Sequence, residues 1–346
     1  GCRLLNKDVY RNRQDYGLGP AEPSPRSRAM ELGPRDLLSQ AYWHEKQKGN
    51  TIDGPHGHVV HLDLRHLGEK KLRERLPQIY ELAEEFLGVD PAKQPIPVLP
   101  AVHYTMGGIE TDGRTASSLP GLYAVGECAS VGIHGANRLG SNSLAELCVF
   151  GKVAGREASE FAAAAATSTQ SVLEAQAEQS RENALRLISD ETGDQRIGVL
   201  RSEMASAMED GCGIYRTAGE METGCRKIDE LKERYQRAHI DDRSRAWNTE
   251  WLLGIELGFQ LDVAQAMVYS AINRKESRGS HQRIDGYEER DDENFLKHTL
   301  ACHRPAIPPE IRWGDVTITR SQPGTRAYGA AGEQAEKENA QRSDDG

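Results

Sequence analysis

The chain lacks any long hydrophobic run. Nothing in it approaches the roughly 20 consecutive apolar residues that a membrane-spanning helix requires, so a link to a membrane is expected only through a partner. Cysteine is sparse: Cys2, Cys128, Cys148, Cys212, Cys225 and Cys302 are scattered over 346 residues and form no C-x-x-C pair. That argues against a zinc site or a disulfide framework and for a reducing, cytoplasmic setting. Surplus positive charge is also missing. A net charge of -10 and a pI near 5.6 exclude the basic footprint of a nucleic-acid binder. There is no initiating Met, and Gly1-Cys-Arg-Leu-Leu-Asn6 has neither a basic n-region nor an apolar core; it reads as a fragment or processed chain, not a secreted precursor. No G-x-G-x-x-G turn and no solenoid-period repeat is found.

What is present divides along the chain. Residues 1–100 mix short strands, turns and helices, the pattern of an α+β unit. His58-Val-Val-His-Leu-Asp-Leu-Arg65 alternates, placing Val60, Leu62 and Leu64 on one face of a predicted strand and His61, Asp63 and Arg65 on the other. Leu72, Leu76, Ile79, Leu82 and Phe86 follow at helical spacing and predict one helix from Glu69 to Phe86. Residues 101–160 are glycine-rich, and Gly121-Leu-Tyr-Ala-Val-Gly-Glu127 predicts a buried strand ending at an acid. From 165 to 275 the sequence turns to charged, helix-forming stretches, Ser171–Ser189, Arg226–Ala238 and Glu250–Asn273, which predict an antiparallel bundle. Residues 276–346 are polar and loop-rich, with a tail from Glu333 whose composition predicts disorder.

Several segments could carry chemistry. His56, His58, His61 and His66 crowd together, but His58 and His61 point to opposite faces of a strand and no Cys or paired acid completes a ligand shell, so a solvated strand edge is the better reading than a metal site. His103-Tyr-Thr-Met-Gly-Gly108 puts a histidine before a Gly-Gly turn that, taken alone, reads as a hairpin. Glu127 closes the predicted strand where an acid can hold a ribose or ribitol hydroxyl. The segment His134-Gly-Ala-Asn-Arg-Leu-Gly-Ser-Asn-Ser-Leu-Ala-Glu-Leu147 runs from a glycine-broken loop into a helix. Its first turn favours negative charge, and Arg138 suits bidentate contact with a carboxylate. Ser143-Leu-Ala-Glu146 also fits a capping box, so part of this polarity can be structural. Arg35 follows a Gly-Pro turn and, on its own, reads as a surface charge.

Taken together, HYTMGGIETD (from His103), GLYAVGECASVGIHGANRLGSNSLAELCVFG (from Gly121) and MELGPRDLLSQA (from Met30) resemble the flavoprotein subunit of the fumarate reductase and succinate dehydrogenase family. NRKESRGSHQRID and ERDDENFLKHTL, between Asn273 and Leu300, extend the likeness through the helical part. The resemblance implies a multidomain α+β fold: a partial capping domain (1–100), the C-terminal part of an FAD-binding α/β domain (101–160), a helical bundle (165–275) and a loop-rich C-terminal region (276–346). It implies an enzyme interconverting fumarate and succinate with FAD, an iron–sulfur subunit and membrane anchor subunits as partners, and a place on the cytoplasmic face of the inner membrane. By resemblance, His103 and Arg138 hold the dicarboxylate and Arg35 donates a proton to carbon. FAD contact falls to His103, Tyr104, Glu127, Arg138, Leu139, Gly140, Ser141, Asn142, Ser143 and Leu144, while the histidine attached covalently to FAD lies outside the chain.

The likeness also sets limits. The acidic and basic neighbours that reprotonate the catalytic arginine in the family match nothing in this chain, so the chain alone is expected to be inactive. Ungapped alignment through Leu5–Tyr16 places Gly1 after the family's Gly-Cys-Arg motif, so Arg3 is given no catalytic role. Competing readings are succinate dehydrogenase, L-aspartate oxidase, which shares the HGANRL pattern, and a binding module without activity. Ser141 and the GGIETD wording favour quinol-linked fumarate reductase.

Overall fold

A computed structural model describes residues 3–8, 35–54, 57–165, 170–189, 192–304, 307–319 and 324. Its residues divide into two compact units, one formed by Gly1–His103 with Ile318–Gly346 and the other by Tyr104–Thr317.

The first unit contains β1 (Arg3–Leu5), α1 (Arg35–Gln47), β2 (Ile52–Gly54), β3 (Gly57–Asp63), α2 (Glu69–Arg75), α3 (Pro77–Leu87) and β4 (Ile96–Val98). The alternating histidine-rich segment is β3, the central strand, antiparallel to β1, β2 and β4 with Leu4 opposite Leu62 and Val60 opposite Val98. Neither face of β3 is simply wet: Val59, Val60 and Asp63 are all buried, and Asp63 is held by Arg65 across 2.9 Å, which pulls its carboxyl below the usual range. His58 pairs with Asp53 of β2 at 3.0 Å; His56 lies outside the described residues. The single helix predicted from Glu69 to Phe86 is two helices. Pro77 has no N–H to continue the α2 ladder and opens α3 instead, after Leu76 turns out of helical geometry (φ −138°, ψ 46°). Gly88 ends α3 in the left-handed region (φ 64°), its N–H reaching Glu84 while Val89 N–H reaches Ala83. Leu64, Leu72, Tyr80, Ala83 and Ile96 form the small core.

The second unit begins with β5 (Ile109–Glu110) and β6 (Ala129–Ser130), a short parallel pair, and α4 (Asn142–Ala164). Residues 121–127 are not the predicted strand. Their ladder is one bridge, Tyr123 to Ala116, followed by a 3-10 turn over Gly126–Cys128. Gly121 (φ 86°) and Gly126 (φ 80°) leave extended geometry at both ends, so pairing cannot propagate.

The bundle follows as α5 (Gln170–Ser189), β7 (Gln195–Arg196), α6 (Ile197–Cys212), α7 (Ala218–Tyr235), β8 (Ala238–His239) and α8 (Thr249–Asn273), then α9 (Asp292–Phe295), β9 (Lys297–Cys302) and β10 (Glu310–Asp315). The predicted helices are α5, the latter part of α7, and α8; α6 is an addition. Caps place the helix starts: Thr217 Oγ1 accepts from Glu220 N and Asn248 Oδ1 from Trp251 N. Leu200, Met221, Ile228, Leu231, Leu257 and Val268 are completely buried, each contributing about 1.5–3 kcal/mol of apolar transfer. The segment expected to be loop-rich contains the antiparallel β9–β10 hairpin, and the predicted disordered tail lies outside the described residues. Among the described residues no helix is long and apolar enough to cross a membrane.

Candidate functional site

Three glycine-rich segments meet in the second unit, each brought by a different element. Gly107 (φ 102°) and Gly108 (φ 137°) do not form the hairpin that the sequence suggests. They carry the chain into β5 so close to the 3-10 turn that a Cβ on Gly108 would stand 2.4 Å from the Cys128 carbonyl oxygen. Only glycine permits this crossing. Glu127, on that turn, accepts the Thr105 N–H at 2.9 Å, fixing the backbone just after Tyr104.

The segment 134–147 supplies the polar centre. Glu146 is 3% exposed, and its Oε2 meets His134 Nε2 at 2.6 Å and the Tyr104 hydroxyl at 3.3 Å. The capping box read from Ser143 and Glu146 is therefore absent. Ser141, the N-cap, sits in the left-handed region (φ 65°) and no side chain caps α4. Glu146 turns inward because two half-buried donors, an imidazole and a phenol, find in it an acceptor that the solvent supplies only in part. Burial and the nearby Glu146 charge both push the Tyr104 hydroxyl pKa up, so Tyr104 is a neutral donor. The Tyr104 ring meets His134 edge-on, with centroids 5.6 Å apart, and carries the Arg138 guanidinium 4.3 Å above its centroid. Arg138 Nη1 donates to the Leu139 carbonyl at 3.1 Å, while its buried Nε has no hydrogen-bond partner among the described residues.

The α4 helix is pinned behind this cluster. Arg114, just beyond the GGIETD segment, donates Nε to the buried Glu157 at 2.7 Å. The hydrogen bonds from Arg114, and then those from Arg156, hold the Glu157 carboxyl below its usual range. Phe161 packs edge-on against Tyr123. A second brace comes from the segment that follows α8, where Ser280 N and Oγ donate to the Ala136 carbonyl at 3.0 and 2.9 Å.

The sequence-predicted residues are thus distributed. Tyr104 and Arg138 stack directly, and Glu127 fixes the backbone beside Tyr104. Leu139, Gly140, Ser141, Asn142, Ser143 and Leu144 form the loop and first turn of α4, with Leu139 and Leu144 largely exposed. Arg35, the first residue of α1, and His103 belong to the first unit, whose boundary falls between His103 and Tyr104. Sequence reasoning missed His134 and the inward role of Glu146; their twelve-residue separation, spanning a loop and a helix turn, is no recognisable spacing. The Ser280 contact was likewise hidden, since 144 residues separate it from Ala136.

An uncapped helix start, an underused arginine and exposed apolar residues at one place fit a flat, anionic aromatic ligand. Comparison with known proteins agrees: the family described as "FAD binding domain" matches residues 1–144, which makes this an FAD-binding flavoprotein. The family described as "Fumarate reductase flavoprotein C-term" matches residues 201–328. The fumarate reductase flavoprotein subunit of Proteus vulgaris is 55% identical, covering 99% of this chain and 58% of that protein. A solved quinol fumarate reductase of E. coli superposes with a TM-score of 0.87 at 54% identity over 95% of this chain and 57% of that one. The succinate dehydrogenase flavoprotein subunit of Coxiella burnetii is 39% identical, covering 87% of this chain and 51% of that protein. The chain belongs to the fumarate reductase flavoprotein subunit family, and it spans about half to 58% of the length of the relatives it matches.

Proposed function

We propose that, in a protein of the relatives' full length, this chain supplies part of the active site of a quinol-linked fumarate reductase. The observation that carries the reading is Arg138: a cation braced on Tyr104, with a buried Nε that lacks a partner. A carboxylate is the group that such a guanidinium accommodates best. The higher identity to fumarate reductase than to succinate dehydrogenase subunits (55% against 39%) supports the fumarate-reducing direction.

In this reading Arg138 and His103 hold the dicarboxylate and so fix the geometry of the reacting carbons. Their positive charge stabilises the negative charge that builds on the carboxylate during reduction. Arg35 donates the proton to carbon. A guanidinium ordinarily keeps its proton, so Arg35 acts only where other groups reprotonate it, and the family's relay groups match nothing in this chain. His103, Tyr104, Glu127 and the run from Arg138 to Leu144 contact FAD, and the α4 N-terminus favours negative charge on it. FAD, when bound, supplies the hydride chemistry. The working partners are an iron–sulfur subunit and membrane anchor subunits, holding the protein peripherally on the cytoplasmic face of the inner membrane. The capping, flavin, bundle and C-terminal divisions at 1–100, 101–160, 165–275 and 276–346 belong to the same proposal.

The test is Arg35→Ala in the full-length protein. Fumarate turnover should vanish while the flavin absorbance per protein is unchanged. Turnover retained at more than about a tenth of the parent rate would overturn the proton-donor role.

A further inference from the structure

The loop that presents Arg138 is held by a turn in the segment after α8, 279–280, that neither sequence motif nor family match assigns to the site. Gly279 stands at φ +59°, and a Cβ there would lie 2.5 Å from the Ala136 carbonyl oxygen and 2.6 Å from its carbon. The next residue, Ser280, directs both its N–H and its hydroxyl at that same oxygen. Ala136 is thus clasped by two donors at a distance that only glycine allows, two residues before Arg138.

The turn itself has little freedom. Glu276, wholly buried, accepts from Arg274, from Arg278 Nε at 2.8 Å and Nη2 at 2.9 Å, and from the Asp291 N–H at 3.0 Å. A charge buried with this many charge-assisted bonds resists displacement, because losing one partner leaves the others unmatched. Arg278 continues to Asp292 at 2.6 Å, and the Arg278 and His281 backbones close the turn through N–H bonds of 2.8 and 3.0 Å. Within the loop it grips, Arg138 Nη1 to Leu139 O and Asn142 N to Leu139 O lie after the gripped residue, and before it the His134 side chain is tied to Glu146.

We infer that Gly279 and Ser280 are positioning residues for substrate binding: their clasp on Ala136 sets where the Arg138 guanidinium stands. This rests on the proposed role of Arg138 as a carboxylate clamp. A shift of about 1 Å in a binding group can cost up to about a hundredfold, so a small displacement of Ala136 is expected to be felt as weakened dicarboxylate binding.

The experiment compares Gly279→Ala with Gly286→Ala in the full-length, FAD-loaded protein. Gly286 is a left-handed glycine (φ +93°) of the same segment with nothing within 4 Å of a Cβ, so its variant shares the backbone strain without the clash. The probe is malonate, a dicarboxylate that the flavin does not oxidise, titrated by the change in flavin absorbance. Expected is a rise in malonate Kd of about tenfold or more in Gly279→Ala relative to Gly286→Ala, with equal FAD content and a matching rise in KM for fumarate. Equal malonate Kd values in the two variants would overturn the clasp. Arg138→Ala separates this failure from that of the underlying reading: unchanged malonate binding in Arg138→Ala refutes the carboxylate clamp itself. Should Gly279→Ala not accumulate, Ser280→Ala deletes one of the two donors without adding atoms. Amide exchange in 133–140 should then quicken about threefold or more, and unchanged exchange would overturn the proposal.

Discussion

Acid should loosen the bundle through His281. This imidazole is 7% exposed; its Nδ1 accepts from Arg216 Nη1 at 2.9 Å and its Nε2–H donates to the Arg274 carbonyl at 3.0 Å. Both nitrogens are therefore used by the neutral tautomer. Burial first, and the Arg216 charge second, lower its pKa from 6.5 to about 4, with Arg283 and Arg274 adding to the effect. In the unfolded chain the group takes up a proton below about pH 6.5, whereas in the fold it stays neutral until about pH 4. The folded state is thus at no disadvantage above the unfolded pKa and loses stability as the pH falls from 6.5 towards 4. Integrating between pH 7 and pH 5 gives a loss of about 2 kcal/mol, or roughly 4–8 °C in Tm for a unit of this size. The assay is thermal unfolding at stepped pH of the parent and of His281→Gln, whose amide can accept from Arg216 and donate to Arg274 without titrating. Carboxylates held low, such as Glu203 at about 2, destabilise both proteins equally in acid and cancel in the difference. The parent should lose the extra 2 kcal/mol or so; parallel curves for parent and variant would refute the argument.

Two further perturbations follow from the site. Glu146→Ala removes the acceptor shared by His134 and Tyr104 and should cost about 1–3 kcal/mol in denaturant unfolding, with Glu146→Gln costing less; a loss under about 0.5 kcal/mol would show that the pair is not satisfied through Glu146. Gly108→Ala drives a Cβ against the Cys128 backbone, whereas Gly107→Ala meets nothing within 4 Å. Hydrogen exchange at Thr111, whose N–H is bonded to Ser130, should quicken in the first variant alone, and equal protection in both would refute the close-crossing argument.

Much of the fold was legible because periodicity and punctuation are local. The alternation of residues 58–65 marked β3, and the helix-forming stretch from Arg226 marked the latter part of α7. Where local signals misled, the cause was a competing local constraint or a distant partner. Pro77 broke a helix whose apolar spacing ran straight through it. Residues 121–127 have a strand's composition but glycines at both ends and a single bridge partner.

The sequence by itself determined the residue types of the proposed carboxylate and flavin contacts, the glycines that permit close crossings, and the apolar stripes of the bundle. These depend on side-chain chemistry and on spacing within one element. Only the tertiary structure decided what those residues do to one another. Ser143 and Glu146 satisfy a capping pattern, yet Glu146 turns inward, since burying His134 and Tyr104 without an acceptor costs more than leaving a helix end uncapped in water. Ser280, far along the chain, reaches Ala136 because the buried Glu276 network holds its turn in place. Contacts of that separation are set by packing of whole elements, which no window of sequence contains.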